Sequence, residues 1–255
     1  MRATALEFKL RMPIQVVIVA LGFWAPWLNW IAALDFGSRV STLEWLALEM
    51  SRSGLVRFAY ATPIVIVIGA LAAGLGAVLR VWGAAYLGYA TVHHSTMQAG
   101  GVMAAGPYRY VRNPLYLGGW FMMAAMALLM PPTGALFVLL AVTIFYVRLI
   151  LGEEAFLQAK LGEPYREYLC AVPRIIPRLR SSLAPRPNLA HAPARPQWPV
   201  AFLTEINPIG IFFTLAVLAW RYDNLLMVKA VVVSFGLSLV ARALAPRERR
   251  EAEAA

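Results

Sequence analysis

Residues 106–119 read GPYRYVRNPLYLGG, and this polar stretch leads directly into an apolar segment that runs to Leu151. Only Pro131-Pro132 interrupts the apolar segment, and because proline breaks a helix interior, the pair predicts a tight connection between two helices. A second polar stretch, EEAFLQAKLGEPYREYLCAVPRIIP, follows at residues 153–177. The two ends of a helical hairpin lie on the same side, so we expect the two polar stretches to meet there.

The composition is typical of a polytopic membrane protein. Hydrophobic residues make up 60% of the 255 residues and charged residues 14%, and the mean hydropathy is +0.64. Soluble domains have about a quarter of their residues charged, and a spanning helix needs about 20 mainly apolar residues. The sequence therefore predicts an all-α membrane protein with about six transmembrane helices. We place them at residues 13–34, 58–81, 115–130, 133–151, 206–220 and 225–244.

The net charge of +10 and the pI near 10.2 do not indicate a nucleic-acid-binding protein, because the basic residues flank the predicted spans. Most of the 23 Lys and Arg residues fall on one side of a six-span arrangement, together with both termini. Positive charge in short loops marks the cytoplasmic face. We therefore expect a multi-pass protein, of a bacterial inner membrane, with both termini and the active site in the cytoplasm.

Local signals refine this arrangement. Ser41 or Thr42 is placed to cap a short interfacial helix over STLEWLALEM. The glycines of the second span favour close packing of helices over a nucleotide-binding loop, since no strand precedes them. A single cysteine, Cys170, excludes an intramolecular disulfide and any multi-cysteine metal site.

Charged residues in the two polar stretches are the candidates for chemistry. Arg109 and Arg112 are three positions apart, just before the proline that begins an apolar helix, and could clamp a carboxylate or a phosphate; both could equally be membrane-flanking charges. Glu153 and Glu154 follow the predicted end of the fourth span, where the helix dipole disfavours a carboxylate. A basic partner is expected, either as a plain ion pair or in a functional site.

Other polar residues carry weaker signals. His93 and His94 are adjacent, so they diverge on a helix and make a poor metal site; no metal is predicted. One of them could instead form a hydrogen bond to a cofactor. Tyr165 and Tyr168 have helical spacing and could pack on the hairpin or stack on a ligand.

Four motifs, in order along the chain, resemble the isoprenylcysteine carboxyl methyltransferase family and its bacterial relatives, a group similar also to phospholipid N-methyltransferases. They are LRVWGAAYLG at 79–88, GPYRYVRNPLYLGG at 106–119, EEAFL at 153–157 and GEPYREYLCAVPRIIP at 162–177. The resemblance covers about residues 60–180. On this basis we divide the chain into residues 1–57 (first helix and interfacial loop), 58–180 (methyltransferase-like core) and 181–255 (linker, C-terminal hairpin and basic tail).

The resemblance implies a membrane-embedded S-adenosylmethionine-dependent methyltransferase with a helical-hairpin catalytic core and no Rossmann fold. The family's Arg-His-Pro-x-Tyr corresponds to Arg112, Asn113, Pro114 and Tyr116, and its Glu-Glu to Glu153 and Glu154. Two positions depart from the family: Asn113 replaces the histidine, and Ala171 replaces a basic residue near Arg174. The catalytic residues are then Arg112, Glu153 and Glu154. The residues expected to bind the cofactor are His93, His94, Gly106, Tyr108, Arg109, Asn113, Pro114, Tyr116, Leu117 and Tyr165.

Two other functions compete with this interpretation. Membrane reductases of the sterol-reductase type bind NADPH, and the basic residues Arg174, Arg178 and Arg180 could contact its 2′-phosphate. A non-catalytic scaffold or transporter is the third possibility, although spans two to four contain no acidic residue at mid-membrane on which an ion relay would depend. The partners expected are membrane lipids and a lipophilic or lipid methyl acceptor, with no nucleic acid. The C-terminal hairpin could shape the acceptor cavity or form a homodimer.

Overall fold

The computed structural model describes residues 2–24, 40–87, 101–178 and 196–244, and all regular structure within these ranges is helical. In chain order the helices are α1 (Ala5–Lys9), α2 (Arg11–Phe23), α3 (Thr42–Arg52), α4 (Phe58–Leu87), α5 (Pro114–Ala127), α6 (Pro132–Leu161), α7 (Glu163–Ala171), α8 (Trp198–Thr204), α9 (Ile206–Phe213) and α10 (Asn224–Leu244). A 3₁₀ turn, Gly106–Arg109, precedes α5. Helix α9 continues through a π-helical turn, Thr214–Leu218, and a 3₁₀ turn, Ala219–Arg221.

Three of these helices, α4, α6 and α10, are long and apolar enough to cross a membrane. Helix α8 and the extended α9 form a pair bent by 66°, which adds a fourth span if the pair is counted as one broken helix. Helices α2 and α5 are apolar but shorter. The described residues thus support three or four of the six predicted spans, and residues 25–34 of the first predicted span lie outside them.

Two spans are longer than predicted. Helix α6 continues past Leu151 to Leu161, because EEAFLQAKL consists of good helix formers; it ends at Gly162, whose φ is +62°. The prediction that Glu153 and Glu154 follow the end of this helix is therefore wrong, since both lie inside it. Helix α4 likewise continues past residue 81 and carries Arg80 well within its length.

Helices α4, α5 and α6 form the centre of the structure. A Cβ atom at Gly76 would lie 2.8 Å from the carbonyl oxygen of Gly118, and the reverse distance is also 2.8 Å, so α4 and α5 touch at backbone level. The packing role predicted for the glycines of the second span is confirmed. Between α5 and α6, Tyr116 and Tyr146 pack edge to face with ring centroids 5.4 Å apart.

The proline pair forms the tight connection expected from the sequence. Helix α5 ends at Ala127, and α6 begins at Pro132. The interfacial helix α3 docks beside this turn, because the backbone amide and the Oγ1 hydroxyl of Thr42 both donate hydrogen bonds to the Met130 carbonyl oxygen at 2.8 Å. Ser41 caps α3 in a reciprocal capping box with Glu44, which confirms the first of the two predicted caps.

The C-terminal helices pack on α4. The ring of Phe212 lies 3.1 Å from a Cβ built at Gly74. Helices α9 and α10 are joined at RYDN, where Tyr222 adopts the left-handed conformation (φ +54°); Asp223 Oδ1 accepts a hydrogen bond from the Leu226 amide at 2.9 Å. This places a second hairpin beside the central helices.

Candidate active site

A single buried carboxylate, Glu154 on α6, connects the two polar stretches. Its side chain is 8% exposed and contacts two guanidinium groups. Arg112 Nη1 lies 3.3 Å from Oε1, while Arg174 approaches Oε2 with Nη2 at 2.9 Å and Nε at 3.0 Å. The Asn113 amide Nδ2 donates a further hydrogen bond to Oε1 at 3.3 Å. We call Glu154, Arg112, Asn113 and Arg174 the Glu154 centre.

Backbone hydrogen bonds hold the two stretches side by side. The Arg112 amide donates to the Pro173 carbonyl oxygen at 2.9 Å, and the Arg178 amide donates to the Tyr110 carbonyl oxygen at 3.1 Å. Asn113 Nδ2 also donates to the Arg174 carbonyl oxygen at 3.1 Å. The meeting of the two stretches expected from the hairpin is thus present in the structure.

Glycine and proline set the path of the first stretch. Gly106 has φ +54°, and a Cβ atom there would lie 2.5 Å from the ring of Tyr86, so a larger residue would be both strained and crowded. Pro107 follows at the start of the 3₁₀ turn. Pro114 begins α5 and keeps Asn113 out of the helical conformation (φ −123°). The chain therefore passes Arg112 and Asn113 along α6 in a non-helical segment before α5 begins.

Glu153 has different surroundings from those of its neighbour. Successive residues on a helix point about 100° apart, and Glu153 lies beside the hydroxyl of Tyr116, within hydrogen-bonding range. Arg11 of α2 acts on the same carboxylate through its positive charge. Glu154 is thus bound to three side chains of the Glu154 centre, whereas Glu153 is half-buried between a tyrosine and the N-terminal helices.

Two buried polar atoms of the first stretch have no hydrogen-bond partner among the described residues: the hydroxyl of Tyr108 and Nε of Arg112. Orphaned donors of this kind are costly unless a ligand or water satisfies them. Burial raises the pKa of the Tyr108 hydroxyl well above its usual value, so it remains protonated and able to donate. These donors fit a ligand that carries carboxylate and hydroxyl oxygens.

Tyr165 and Tyr168 of α7 are packing residues in this structure. Both are buried, their ring centroids are 5.8 Å apart, and they cluster with Val102 and Val172. The Tyr168 hydroxyl donates to the Tyr108 carbonyl oxygen at 2.8 Å. Packing of both rings is thus observed, and the predicted contact of Tyr165 with a cofactor stays a prediction.

The remaining predicted residues fall in three groups. Arg109, Pro114 and Leu117 lie on the 3₁₀ turn and the first turn of α5, next to the Glu154 centre in sequence. His93 and His94 lie outside the described residues. Arg174 was noted near Ala171, where the family has a basic residue, and as part of an alternative NADPH site; in the structure it binds Glu154.

A second buried ion pair was not predicted. Glu205, at the break between α8 and α9, is fully buried and accepts hydrogen bonds from Arg80 Nε at 2.7 Å and Arg80 Nη2 at 2.9 Å. Arg80 Nη1 also donates to the Leu115 carbonyl oxygen at 3.4 Å. We call Arg80 and Glu205 the Glu205 pair. No group of His, Cys, Asp and Glu side chains in the described part of the chain is arranged to hold a metal ion.

The apolar helices and the buried polar centre between them define an integral membrane protein. More particularly, residues 64–164 match the sequence model of the phospholipid methyltransferase family, which is related to the isoprenylcysteine carboxyl methyltransferases. This region is about two fifths of the chain and runs from α4 through α5 and α6 to the start of α7. The match points to a methyltransferase. No curated protein and no solved structure was found to match the chain.

Proposed function

We propose that this protein is an S-adenosylmethionine-dependent methyltransferase that acts on a lipophilic acceptor within the membrane, similar to the isoprenylcysteine carboxyl methyltransferases. The observation that carries the proposal is the Glu154 centre, where Arg112 and Asn113 meet Glu154. The region matched by the methyltransferase family contains all three of these residues.

The residues of the site fit a methyl donor of this kind. S-adenosylmethionine has an amino-acid carboxylate, ribose hydroxyls and positive charge at sulfur, and it supplies an activated methyl group when bound. Arg112 Nε and the Tyr108 hydroxyl are the orphaned donors that would bind its oxygens. Glu153 would supply the negative charge opposite its cationic groups, while Glu154 positions Arg112.

The chain's contribution to methyl transfer is alignment and the exclusion of water. In-line displacement depends on placing the acceptor atom behind the methyl carbon, which gains most from a rigid site. The Glu154 centre and the backbone bonds around it provide that rigidity. Where the acceptor's heteroatom carries a proton, Glu153 would be the carboxylate that accepts it.

The acceptor would enter from the lipid side. An apolar groove of about 350 Å³ lies between α4 and α8–α9, lined in part by Val78, Trp82, Trp198 and Phe202. A lipophilic chain could lie there while the polar donor arrives from the aqueous side. Lipid amines, thiols, alcohols and a prenylated carboxylate are all compatible with such a path.

The direct test uses purified protein in lipid nanodiscs with methyl-labelled S-adenosylmethionine and a membrane lipid extract. We expect label to enter the lipid fraction, and Arg112→Ala and Glu154→Gln to abolish transfer, since each removes part of the Glu154 centre. Arg166→Gln is the matched control, because Arg166 lies on α7 in an exposed pair with Glu163. Normal donor binding and transfer in both site variants would refute the proposal.

The alternative NADPH function is less well supported. Arg174, one of the three basic residues it requires, is bound to Glu154 through two nitrogen atoms, and the family match is to methyltransferases. Parallel titrations of the same protein with S-adenosylhomocysteine and NADPH separate the two functions. Binding of NADPH alone would favour the reductase, and binding of neither cofactor would favour a scaffold or transporter.

The proposed cytoplasmic orientation has a simple test, because Cys170 is the single cysteine of the chain and is exposed on α7. A membrane-impermeant maleimide should label it in inside-out vesicles and leave it unlabelled in intact cells or right-side-out vesicles. Labelling from outside would place α7 and the Glu154 centre on the opposite side. A possible homodimer through the C-terminal hairpin can be measured by light scattering on the same preparation.

A further inference from the structure

The N-terminal helix α1 contacts α6 at Arg148, within two helical turns of Glu153. Arg148 Nη2 lies 2.8 Å from Glu7 Oε1 and 3.0 Å from Oε2. The backbone amide of Ala3 donates to the Arg148 carbonyl oxygen at 3.0 Å. The same Arg148 Nη2 also approaches the carbonyl oxygen of Arg2 at 3.4 Å. Residues 2–7 thus contact both the side chain and the backbone of Arg148.

Close packing supports this attachment. A Cβ atom built at Gly152, directly before Glu153, would lie 3.1 Å from the Ala3 carbonyl oxygen. Further along, the Tyr146 hydroxyl donates to Gln15 Oε1 at 3.3 Å. A capping box between Thr4 and Glu7 fixes the start of α1, so Glu7 is held in place before it meets Arg148. The N-terminal helices therefore follow α6 on the side that leads to Glu153.

This attachment places Arg11 near Glu153. The Arg11 guanidinium lies 4.2 Å from the ring centroid of Phe8, which is buried. From there its charge acts on both Glu153 and Tyr116. A half-buried carboxylate is unfavourable without an opposite charge, and Arg112 and Arg174 are bound to Glu154. Arg11 is the cation that the N-terminal segment adds beside Glu153.

We infer that α1 and α2 form one wall of the methyl-donor site and that Arg11 is a positioning residue, which directs the Glu153 carboxylate toward the donor. The inference rests on the proposed function and adds to it, because residues 2–24 lie outside the region matched by the methyltransferase family. On this view the matched region alone lacks one of the charges that its own Glu153 requires.

The test compares Arg11→Gln, Arg11→Lys and Lys9→Gln in full-length protein in nanodiscs. Lys9 is the matched control, since it is exposed on α1 and loses the same charge. The readouts are the S-adenosylhomocysteine dissociation constant by calorimetry and the melting temperature. We expect Arg11→Gln to weaken binding about tenfold, as for loss of a charge-assisted contact. Arg11→Lys should restore most of the affinity, and Lys9→Gln should match wild type.

A second arm tests the attachment itself. Glu7→Gln should weaken S-adenosylhomocysteine binding in the same direction, because it releases Arg148 and lets α1 move. Glu49→Gln is its control, since Glu49 forms an exposed pair with Arg52 on α3. The Glu7→Gln/Arg11→Gln double variant should bind no more weakly than Arg11→Gln alone, because both changes act through one residue. Additive losses would contradict a shared pathway through Arg11.

The outcomes separate the two proposals. If wild-type protein fails to bind S-adenosylhomocysteine, the proposed function fails and the inference fails with it. If wild type binds and Arg11→Gln binds equally well, the inference alone is overturned. If Arg11→Gln lowers affinity and the melting temperature together, and Arg11→Lys restores neither, Arg11 has a structural role and the inference is also overturned.

Discussion

Among the residues that the structure describes, two buried carboxylates are paired with arginine, and their surroundings differ. Glu205 is fully buried and bound by one guanidinium, Arg80, at 2.7 and 2.9 Å. Glu154 is shared by two guanidiniums and an amide, and one of those arginines, Arg174, is 45% exposed. The Glu205 pair is balanced in charge and its carboxylate is fully buried, whereas the Glu154 centre has two positive charges for one negative charge and includes the partly exposed Arg174.

This difference supports a structural role for the Glu205 pair and the proposed binding role for the Glu154 centre. The Glu205 pair joins α4 to the break between α8 and α9, so it attaches the C-terminal hairpin to the region matched by the methyltransferase family. Its side chains are hydrogen-bonded to each other and to the Leu115 carbonyl oxygen, so little is left for a ligand. In the Glu154 centre, Arg112 Nε has no hydrogen-bond partner among the described residues and positive charge is in excess, which fits the binding of an anionic group.

The largest expected effect is on the Glu205 pair. Glu205→Ala leaves the Arg80 guanidinium buried without its partner, so the free energy of unfolding should fall by about 3–5 kcal/mol. Chemical denaturation in detergent micelles measures it. The double variant Arg80→Met/Glu205→Leu should recover most of the loss, since neither charge then remains. If Glu205→Ala is as stable as wild type, the Glu205 pair does not have the structural role that distinguishes it from the Glu154 centre.

The second prediction compares the neighbours Glu153 and Glu154. Glu154→Gln leaves two guanidiniums without their carboxylate, so it should lower the free energy of unfolding by about 2 kcal/mol as well as the affinity for S-adenosylhomocysteine. Glu153→Gln should lower the affinity and leave the unfolding free energy nearly unchanged. Denaturation and calorimetry on the same two variants check this. If both variants change the free energy of unfolding and the affinity alike, the two carboxylates do not have different roles.

The third prediction concerns the turn that carries Arg112. Gly106→Ala places a Cβ at φ +54° against the Tyr86 ring, and should lower the free energy of unfolding by about 1–2 kcal/mol while it weakens donor binding. Gly54→Ala is the matched control, since Gly54 also has positive φ (+73°) but open space around its Cβ. Gly54→Ala should lower the free energy of unfolding through backbone strain alone and leave donor binding unchanged. A loss of binding in the control would show that strain far from the site is sufficient.

The smallest effect is expected at Tyr168. Tyr168→Phe removes the hydrogen bond to the Tyr108 carbonyl oxygen and should lower the free energy of unfolding by about 1 kcal/mol. Burial raises the pKa of the Tyr168 hydroxyl far above its usual value, so the folded state favours the neutral form. The stability that the Tyr168 hydroxyl contributes is therefore fully present below about pH 10 and is lost as the pH rises further. Wild type and Tyr168→Phe should converge in stability in alkaline denaturation series.

Local signals in the sequence predicted local structure well. Ser41 with Glu44 three positions on gives the cap of α3, and Pro131-Pro132 gives the turn before α6. The meeting of Arg112 with Glu154 also followed from the sequence, because a hairpin must bring its two ends together. The roles assigned to these residues remain predictions.

Long-range pairing was not predictable. The second span was predicted to end at residue 81, directly after Arg80, but the helix continues to Leu87. The carboxylate that binds Arg80 is 125 positions away in the chain, so no local pattern indicated the pair. The end of α6 was placed at Leu151 because the apolar run stops there, although nothing breaks a helix before Gly162. Helix α8 begins at Trp198, inside a proline-rich segment that we had predicted to be a linker. In each case contacts or backbone preference outweighed hydropathy.

The short helix α5 has a consequence for access to the proposed site. Its 14 residues span about 21 Å, against a hydrocarbon thickness of about 30 Å, while its neighbour α6 has 30 residues. No residue of α5 is exposed, so the shortfall is made up by the chain itself: Arg112 and Asn113, just before α5, meet α6 within its length, at Glu154. Under the proposed function, a water-soluble donor would therefore reach the level of a lipophilic acceptor without entering the lipid, so activity should vary little with the acyl-chain length of the nanodisc lipids.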